Sequence, residues 1–293
     1  MKDLQIGGHR FAWGSRTYVM GILNITPDSF SGDGLATGAG AVSAALALAR
    51  RFAAAGVDIL DVGGESTRPG SQAISAQQEK ARVLPVIQAL AAELDVPISI
   101  DTYKAEVAAA ALDAGAHMVN DVWGLRADPG LSPLVAERGV PIILMHNRSN
   151  PANAELREKL GGRYVGVEYA NLIEDIKKEL TASVSMARRA GIPDERIILD
   201  PGIGFGKTVE QNLELLNRCG EIRELGYPLL VGPSRKSFIG YTLDLPPERR
   251  VEGSAAAVAI AIARGADLVR VHDVEQIARV VKMTDAIVRP KAK

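Results

Sequence analysis

The chain has 293 residues, of which 47% are hydrophobic and 24% are charged, and its formal net charge at pH 7 is −1. This balance excludes a globally basic surface for nucleic acid or anionic membranes, and the single cysteine, Cys219, excludes an internal disulfide and a cysteine metal cluster. The N-terminus has no apolar segment of signal-peptide type, and the most apolar run, residues 255–263, is too short to span a bilayer. We therefore expect a soluble, cytoplasmic protein without nucleic-acid or membrane partners.

Eight short apolar runs along the chain each end on a polar or charged residue. Continuous apolar runs of this kind are typical of parallel strands that helices cover on both faces. The predicted strands span residues 18–23, 57–62, 97–101, 117–120, 140–145, 196–200, 228–231 and 267–271. Ala- and Leu-rich segments with helical spacing lie between most of them. Ahead of them, two runs that flank Gly7-Gly8 predict a hairpin over residues 4–18.

The number of strand–helix units favours a closed barrel over an open, doubly wound sheet. Eight units and 293 residues are normal for one such barrel. The first loop, residues 24–30, also lacks the glycine-rich fingerprint of a dinucleotide-binding sheet. The sequence therefore predicts an α/β fold with a single domain over residues 1–293. This domain is a (β/α)8 TIM barrel with an N-terminal β-hairpin, residues 1–17, at its lower end.

One segment of the chain has no clear pattern. Residues 147–165 are polar, with charges and glycines, and they predict a long loop ahead of a helix over residues 167–190. His146 precedes this loop and is interpreted either as a packed histidine or as a support for a ligand-binding group. His9 and His117 lie at the other end of the barrel and are expected to be structural.

Arg270 and His272 end the last predicted strand. Residues two apart on a strand point to the same face, so both side chains project at the mouth of the barrel, where barrel enzymes build their active sites. An arginine fork beside an imidazole suits phosphate oxygens. The structural alternative is an Arg270 paired with Asp273 or Glu275, and the position at a strand end favours the functional interpretation.

Asp101, Asn120 and Asp200 end three further strands. Two carboxylates and an amide in one apolar cup suit a flat, nitrogen-rich heterocycle, because carboxylates accept from ring N–H and amine groups while the amide both donates and accepts. The same groups could instead form a metal site or an acid–base pair. Two structural alternatives also remain. Asp101 could be the N-cap of a helix that begins near Lys104, and Asp200 could form a turn before Pro201.

The glycine-rich segment at residues 200–208 resembles a phosphate-binding loop at its end. Residues 206–208 read Gly-Lys-Thr, but Pro201 stands where that motif requires a small residue, and the glycine spacing differs from a dinucleotide fingerprint. Three alternating glycines favour a backbone that turns sharply over a planar ligand. We therefore exclude a nucleoside-triphosphate site here.

Two other loops follow strand ends and carry polar side chains. The loop at residues 61–70 is rich in glycine and proline, and it places Thr67 and Arg68 where a flap could close over the site. The loop at residues 233–237 contains Lys236, which could reach a ring carbonyl or an anion. The structural alternatives are a plain connector for the first loop and a solvated lysine for the second.

Together these segments resemble the dihydropteroate synthase family, and the resemblance spans nearly the whole chain. The segments that carry it are residues 21–31, 61–70, 98–102, 120–122, 200–207, 232–237 and 270–273. Each motif is short, but seven in order at suitable separations make the resemblance specific. One stretch departs from the commonest pattern: after His146 many members have Met-Arg-Gly, whereas residues 147–150 here are Asn-Arg-Ser-Asn. No function is assigned to residues 147–165.

The resemblance implies condensation of 6-hydroxymethyl-7,8-dihydropterin diphosphate with p-aminobenzoate to 7,8-dihydropteroate and diphosphate. It also implies a barrel, Mg²⁺ dependence and a homodimer. The residues it implies for the pterin are Asp101, Asn120, Asp200 and Lys236. Those it implies for the diphosphate are Asn24, Arg270, His272, Thr67 and Arg68, with Asn24 also on Mg²⁺. Those it implies for p-aminobenzoate are Phe30, Arg68, Pro69, Phe205 and Ser237. The implied catalytic residues are Asp101, Lys236, Arg270 and His272.

The residue chemistry agrees with that reaction. Diphosphate is a good leaving group once an arginine, a histidine and a metal neutralise its charge. An aniline nitrogen is already nucleophilic, so no activated serine or cysteine is needed. We therefore expect a dissociative path in which Asp101 and the departing diphosphate stabilise a cationic methylene.

Two alternative functions remain open to test. A barrel that moves a methyl group from methyltetrahydrofolate to a corrinoid would keep the pterin cup but has no need of the Arg270–His272 pair or the flap at residues 67–68. A catalytically silent paralogue would be expected to lack loop residues such as Arg68 or Lys236, and this sequence keeps them. Both alternatives are therefore less favoured than the synthase.

Overall fold

The computed structural model describes residues 2–26, 39–66, 71–157 and 159–289. The strands are β1 Leu4–Ile6, β2 His9–Phe11, β3 Tyr18–Asn24, β4 Ile59–Gly63, β5 Ile98–Asp101, β6 Met118–Asp121, β7 Ile142–Met145, β8 Ala154–Arg157, β9 Gly161–Tyr164, β10 Ile197–Asp200, β11 Leu230–Val231 and β12 Leu268–Val271. The helices are α1 Ala39–Ala55, α2 Ala76–Glu93, α3 Ala105–Asp113, α4 Leu131–Arg138, α5 Leu172–Ala190, α6 Val209–Arg218, α7 Gly220–Arg223, α8 Ser237–Leu243, α9 Val251–Ala263 and α10 Val274–Val288.

Eight parallel strands form one sheet that closes into a barrel. Their order around the sheet is β10, β7, β6, β5, β4, β3, β12 and β11. Leu199 of β10 and Leu229, just before β11, form a parallel bridge between the two edge strands. The predicted α/β barrel is therefore confirmed, and the predicted strand bounds lie within two residues of the observed ones.

The N-terminal hairpin covers the lower end of the barrel, as predicted. β1 and β2 pair antiparallel, and their residues Leu4, Ile6 and Phe11 are buried. They pack against a layer of inward-facing side chains from the first half of the barrel strands. This layer consists of Tyr18, Met20, Ile59, Met118, Ile143, Ile198, Leu230 and Leu268. The barrel interior is thus an apolar core at its lower end, and only the upper end is available for a polar site.

Side-chain caps mark the starts of several helices. Ser75 and Gln78 form a reciprocal capping box at the start of α2, and Thr208 and Gln211 form another at the start of α6. The prediction of a helix from residue 167 is wrong at its start, because the Asn171 side chain accepts from the Glu174 N–H and begins α5 at residue 172.

The prediction that residues 147–165 lack regular structure is wrong in part. β8 and β9 form an antiparallel hairpin there, with Ala154 paired to Tyr164. Most side chains of β8 are exposed, so the hairpin has little of the apolar alternation from which a strand is recognised. It packs instead on α8, the short helix that follows β11.

The core between the strands and the outer helices is closely packed around β3. A Cβ atom at Gly21 would lie 2.8 Å from Phe52 of α1 and 3.0 Å from Val274 of α10, so only glycine allows both helices to approach this strand. Cys219 is fully buried within the same core, as expected for a packed small residue. Among the described residues, none of the helices is long and apolar enough to cross a bilayer.

Phe11→Ala should destabilise the protein, because the Phe11 ring fills the lower end of the barrel against Tyr18. We expect a loss of about 3–5 kcal/mol in the free energy of unfolding, from urea titration followed by circular dichroism. Gln5→Ala, on the exposed side of the same hairpin, is the control and should change that free energy by less than about 0.5 kcal/mol. Equal losses in the two variants would show that the hairpin does not plug the barrel.

Candidate active site

The polar ends of the barrel strands converge on one rim. Asp61, Asn120, Asp200 and Arg270 each lie two positions after a side chain of the buried lower layer, so all four point into the barrel on top of it. Asp101 and Asn120 are paired neighbours in adjacent strands. The site is thus a polar cup on an apolar floor, at the carboxyl ends of parallel strands.

Arg270 is held between two carboxylates in this cup. Its Nε donates to Asp61 Oδ2 at 2.6 Å, and a terminal nitrogen donates to Asp101 Oδ2 at 2.6 Å. Burial lowers the pKa of Arg270, but the charges of Asp61 and Asp101 outweigh that effect and hold it above its usual value. Arg270 is thus paired with carboxylates, as in the structural alternative drawn from the sequence, but the partners named there are wrong. Asp273 pairs with Arg235, and Glu275 pairs with Arg51.

Asp61 also lies in the cup, although no role is predicted for it from the sequence. The side chain is fully buried, and its Oδ2 accepts from Asn120 Nδ2 at 3.1 Å as well as from Arg270. Its other oxygen, Oδ1, is buried with no hydrogen-bond partner among the described residues. Its place at the end of the second apolar run was the available signal. The long separation from Arg270 along the chain is why the pairing could not be predicted.

Asp101 is not a helix cap. The Lys104 N–H at the start of α3 donates to Thr102 Oγ1, and the Ala105 N–H donates to Asp128 Oδ2. Asp101 instead faces the cup, where burial raises its pKa against the opposing charge of Arg270. A carboxylate held in this way is a strong acceptor for an N–H group that could replace the guanidinium.

Asp200 both fixes a turn and lies at the rim of the cup, so both interpretations drawn from the sequence apply to it. Its Oδ1 accepts from the Gly202 N–H at 2.7 Å, which fixes the turn after Pro201, and the residue still lies at the rim of the cup. Burial raises the pKa of Asp200 to about 6, although the Gly202 N–H favours the ionised form. Asp200 therefore joins the cup to the glycine-rich loop that follows β10.

Lys236 and Phe205 meet across two loops. The Lys236 ammonium lies 3.9 Å from the centroid of the Phe205 ring, a cation–π distance. The backbone at Gly204 is close enough that a Cβ there would lie 2.8 Å from Lys236 Cδ. Ser237 follows Lys236 directly and is the first residue of α8. These loops form a wall at the β10–β11 side of the cup.

His272 is oriented by a serine that the sequence did not assign. Ser234 Oγ accepts from the His272 backbone N–H at 3.1 Å and lies 3.1 Å from His272 Nδ1. With its oxygen already accepting, the hydroxyl proton can be donated to Nδ1, which leaves Nε2 as the protonated nitrogen. Asn24 ends β3 on the same rim and is half-buried. A donor imidazole, a guanidinium and an amide thus face one space.

The other histidines are structural. His117 Nδ1 accepts from the Ile98 N–H at 3.1 Å, and His9 Nε2 lies 3.1 Å from Asp95, both at the lower end of the barrel as expected. His146 is buried, and burial together with the Lys207 charge lowers its pKa to about 3. It is therefore a neutral imidazole packed behind the site.

Four of the residues implied for the site, namely Phe30, Thr67, Arg68 and Pro69, lie outside the described residues. The chain on either side of residues 67–70 is held by a half-buried lysine. Lys104 Nζ pairs with Glu65 and with Glu79 at 2.7 Å, and donates to the Ile74 carbonyl at 2.8 Å. Both ends of this segment are therefore fixed to the same point on the barrel.

These features define a barrel enzyme with a cup for a polar, planar ligand, and comparison with known proteins gives the family. Residues 20–272 match the pterin binding enzyme family, and the chain belongs to that family. The dihydropteroate synthase of Clostridium beijerinckii is 49% identical over 287 residues, which cover 98% of this chain and 100% of that protein.

Solved structures give the same result. The dihydropteroate synthase of Clostridium difficile, crystallised in the presence of pteroic acid, has a TM-score of 0.85 at 45% identity and covers 95% of this chain and 99% of its own. The Xanthomonas albilineans dihydropteroate synthase in complex with 7,8-dihydropteroate has a TM-score of 0.84 at 39% identity, covering 98% of each chain. Within the pterin-binding family, the chain is therefore similar to the dihydropteroate synthases, which are transferases.

Asp200→Asn should change how stability depends on pH. The pKa of Asp200 is about 6 in the folded protein and near 3.9 in an unfolded chain. The folded state therefore binds a proton at Asp200 more tightly than the unfolded state does, and this proton binding stabilises the folded state. That contribution to stability is complete below about pH 4 and is lost as the pH rises through about 6. The neutral variant avoids the loss.

We therefore expect Asp200→Asn to match the unliganded parent near pH 4 and to exceed its free energy of unfolding by up to about 3 kcal/mol near pH 7. Urea titrations across this pH range measure the difference. A difference that stays constant with pH would contradict the burial of an ionisable carboxyl at Asp200.

Proposed function

We propose that this protein is a dihydropteroate synthase. It condenses 6-hydroxymethyl-7,8-dihydropterin diphosphate with p-aminobenzoate, giving 7,8-dihydropteroate and diphosphate in folate biosynthesis. The observation that carries the proposal is the convergence of Asp101, Asn120, Asp200 and Arg270 in one cup, in a chain that matches the pterin-binding family over residues 20–272. The relatives reported above are named synthases, which favours this function over the methyltransferase and the silent paralogue.

The pterin fits the polar cup through complementary hydrogen bonds. Asp101 and Asp200 supply acceptors for ring N–H and amine groups, and Asn120 supplies one donor and one acceptor. Lys236, held over Phe205, supplies a cation at the edge of the cup. A ligand that donates to Asp101 replaces the guanidinium of Arg270, which is then free to meet an anion.

The diphosphate belongs beside Arg270 and His272, with Asn24 on the same rim. Thr67 and Arg68, carried over from the family pattern, would add contacts from the flap. Among the described residues, no cluster of three or more His, Cys, Asp or Glu side chains is suited to hold a metal. One amide oxygen, that of Asn24, fits Mg²⁺ if diphosphate oxygens and water supply the other ligands. Mg²⁺ bound there would neutralise charge on the leaving group.

The second substrate belongs against the wall made by the glycine loop and α8. Phe205 offers an aromatic face, and Ser237 lies at the first turn of α8, where the hydroxyl and backbone N–H groups suit a carboxylate. Phe30, Arg68 and Pro69 complete this pocket by family pattern. The p-aminobenzoate amine would then face the methylene of the pterin, held in the cup.

The reaction needs charge stabilisation more than an activated nucleophile. The bond between the methylene carbon and the diphosphate oxygen breaks, and the oxygen keeps the electron pair. The electron-rich pterin supports the cation at the methylene, with Asp101 and the departing diphosphate as nearby negative charges. The amine lone pair of p-aminobenzoate then forms the C–N bond, and the proton lost from nitrogen can pass to diphosphate.

Purified protein given the pterin diphosphate and Mg²⁺ should release diphosphate in step with dihydropteroate formation when p-aminobenzoate is added. Both products, measured together by chromatography, test the function, and a chelator added before the substrates should lower the rate. Tight pterin binding without either product would instead support the methyltransferase or the silent paralogue.

Asp101→Asn tests the role of the carboxylate in the same assay. The variant keeps the size and a hydrogen-bonding oxygen but loses the negative charge beside the methylene, so kcat should fall by about a hundredfold or more. Turnover close to that of the parent protein would exclude Asp101 from charge stabilisation.

A homodimer is proposed from the family pattern, and one apolar surface supports it. Ile260 of α9 is 45% exposed, and Met283 and Ile287 of α10 are 64% and 65% exposed. α9 and α10 pack side by side, so these residues form an apolar stripe on neighbouring helices.

A single domain over residues 1–293, a cytoplasmic location, and the lack of nucleic-acid and membrane partners stay predictions.

Ile260→Glu or Met283→Glu should convert the dimer to monomer, because each places a charge in the apolar stripe. Light scattering after size exclusion measures the mass. Leu156→Glu is the matched control, since Leu156 is also exposed but lies apart on β8, and it should remain dimeric. A dimer in all three variants would place the interface elsewhere.

A further inference from the structure

A buried lysine lies behind the active-site wall with no role in the mechanism above. Lys207 is 1% exposed. Its ammonium donates to the carbonyls of Gly202 at 2.9 Å and Phe205 at 3.0 Å, and lies 3.0 Å from His146 Nδ1. All three N–H groups of the ammonium thus have an acceptor. None of these acceptors carries a charge, so the lysine is not part of a simple salt bridge.

The loop between Asp200 and Lys207 curls around this ammonium. Gly202, Gly204 and Gly206 all have positive φ angles, which turn the backbone so that two carbonyls point inward to Nζ. The loop also packs directly on the chain after β7. A Cβ at Gly202 would lie 1.8 Å from the His146 carbonyl oxygen. The buried cation therefore sits inside the curl, on the side away from the cup.

The same loop carries the active-site wall on its other side. The Gly202 N–H donates to Asp200 Oδ1, the Gly204 backbone contacts Lys236, and the Phe205 ring supports the Lys236 ammonium. The positions of Asp200, Phe205 and Lys236 are thus set by one backbone segment. A side chain without an N–H donor at position 207 would leave the Gly202 and Phe205 carbonyls buried without a hydrogen-bond partner from this position.

Charged groups surround the lysine from several elements. From α5, the Glu179 carboxylate lies 3.1 Å from His146 Nε2, although it is not aligned for a hydrogen bond, and it pairs with Arg148. Arg148 stacks on Tyr169, whose hydroxyl donates to the Gly206 carbonyl at 2.9 Å. This arrangement gives a function to residues at the start of the segment 147–165.

The balance of these charges leaves Lys207 close to titration. Burial lowers its pKa to about 7, against the favourable charges of Asp200 and Glu179, and Arg148 and Lys236 lower it further. His146 is neutral, so it accepts from the ammonium through Nδ1. The charge inside the curl is therefore lost as the pH rises through and above neutrality.

We propose that Lys207 is a positioning residue for the pterin and p-aminobenzoate subsites, whose charged ammonium holds the loop at residues 201–206 in its ligand-binding shape. It touches neither substrate and acts through Asp200, Phe205 and Lys236. The proposal rests on the proposed function for the identity of the ligands. The loop geometry around the ammonium is independent of that function.

Lys207→Met tests the proposal, because methionine fills similar volume without the charge. We expect pteroic acid to bind about ten- to a hundredfold more weakly than to the parent protein, by isothermal titration calorimetry near pH 6. The ratio of the two affinities should become smaller near pH 9, since the parent lysine is then a neutral amine with two N–H donors for its three partners. Ionisation of pteroic acid acts equally on both proteins and cancels in this ratio.

Tyr169→Phe is the matched control in the same loop. It removes the hydrogen bond to the Gly206 carbonyl but leaves the ammonium and its acceptors in place. Its effect on pteroic acid binding should be smaller and should not vary with pH between these limits. If Lys207→Met does not fold, Lys207→Arg keeps the charge while misplacing the donors, and is expected to bind pteroic acid more weakly at every pH.

Two results would overturn the proposal. One is binding by Lys207→Met, folded by circular dichroism, within about twofold of the parent near pH 6. The other is a loss of affinity that is the same at both pH limits, which would mean a purely structural role. If the proposed function is wrong, the parent protein forms no dihydropteroate in the synthase assay. That result does not affect the comparison of pteroic acid binding between the parent and the variants.

Discussion

The upper end of the barrel depends on one half-buried cation between two carboxylates. Taking Arg270, Asp61 and Asp101 out of water costs several kcal/mol per ion, and only their mutual contacts at 2.6 Å offset that cost. The three side chains come from β12, β4 and β5, so the arrangement exists only in the closed barrel. One guanidinium thus holds two carboxylates together, and Asn120 is held against Asp61. A ligand therefore enters by exchange, taking over a hydrogen-bond position that the guanidinium already occupies.

The site has two halves that are built differently. One half, where we propose that the pterin binds, consists of side chains on strands, whose directions follow from the pairing of neighbouring residues such as Asp101 and Asn120. The other half consists of loops, and its side chains are placed by backbone turns and by buried groups behind them. Asp200 belongs to both, because it ends β10 and also accepts from Gly202. Binding in the cup and the shape of the loop wall are coupled through this one carboxylate.

The convergence of the strand-borne side chains could be predicted from the sequence. Asp101, Asn120, Asp200 and Arg270 end apolar runs, and parallel strands must bring such ends together. The pairing of Arg270 with Asp61 could not be predicted from the sequence, because 209 positions separate them while Asp273 and Glu275 lie close to Arg270 along the chain. The hairpin of β8 and β9 was missed because its strands have almost no buried face. Ser234 orients His272, and a role that acts through another side chain in this way leaves no pattern in the sequence.

The barrel is paired least extensively between β10 and β11. β11 has two residues and meets β10 through the Leu199–Leu229 bridge, whereas β3 and β4 share five paired positions. The loops that carry Phe205 and Lys236 follow these two strands and stand above this seam. Local opening costs least where backbone hydrogen bonds are fewest. Under the proposed function, the pterin would therefore meet a rigid receptor and p-aminobenzoate a more compliant wall, and an order of binding is expected from the way the barrel closes.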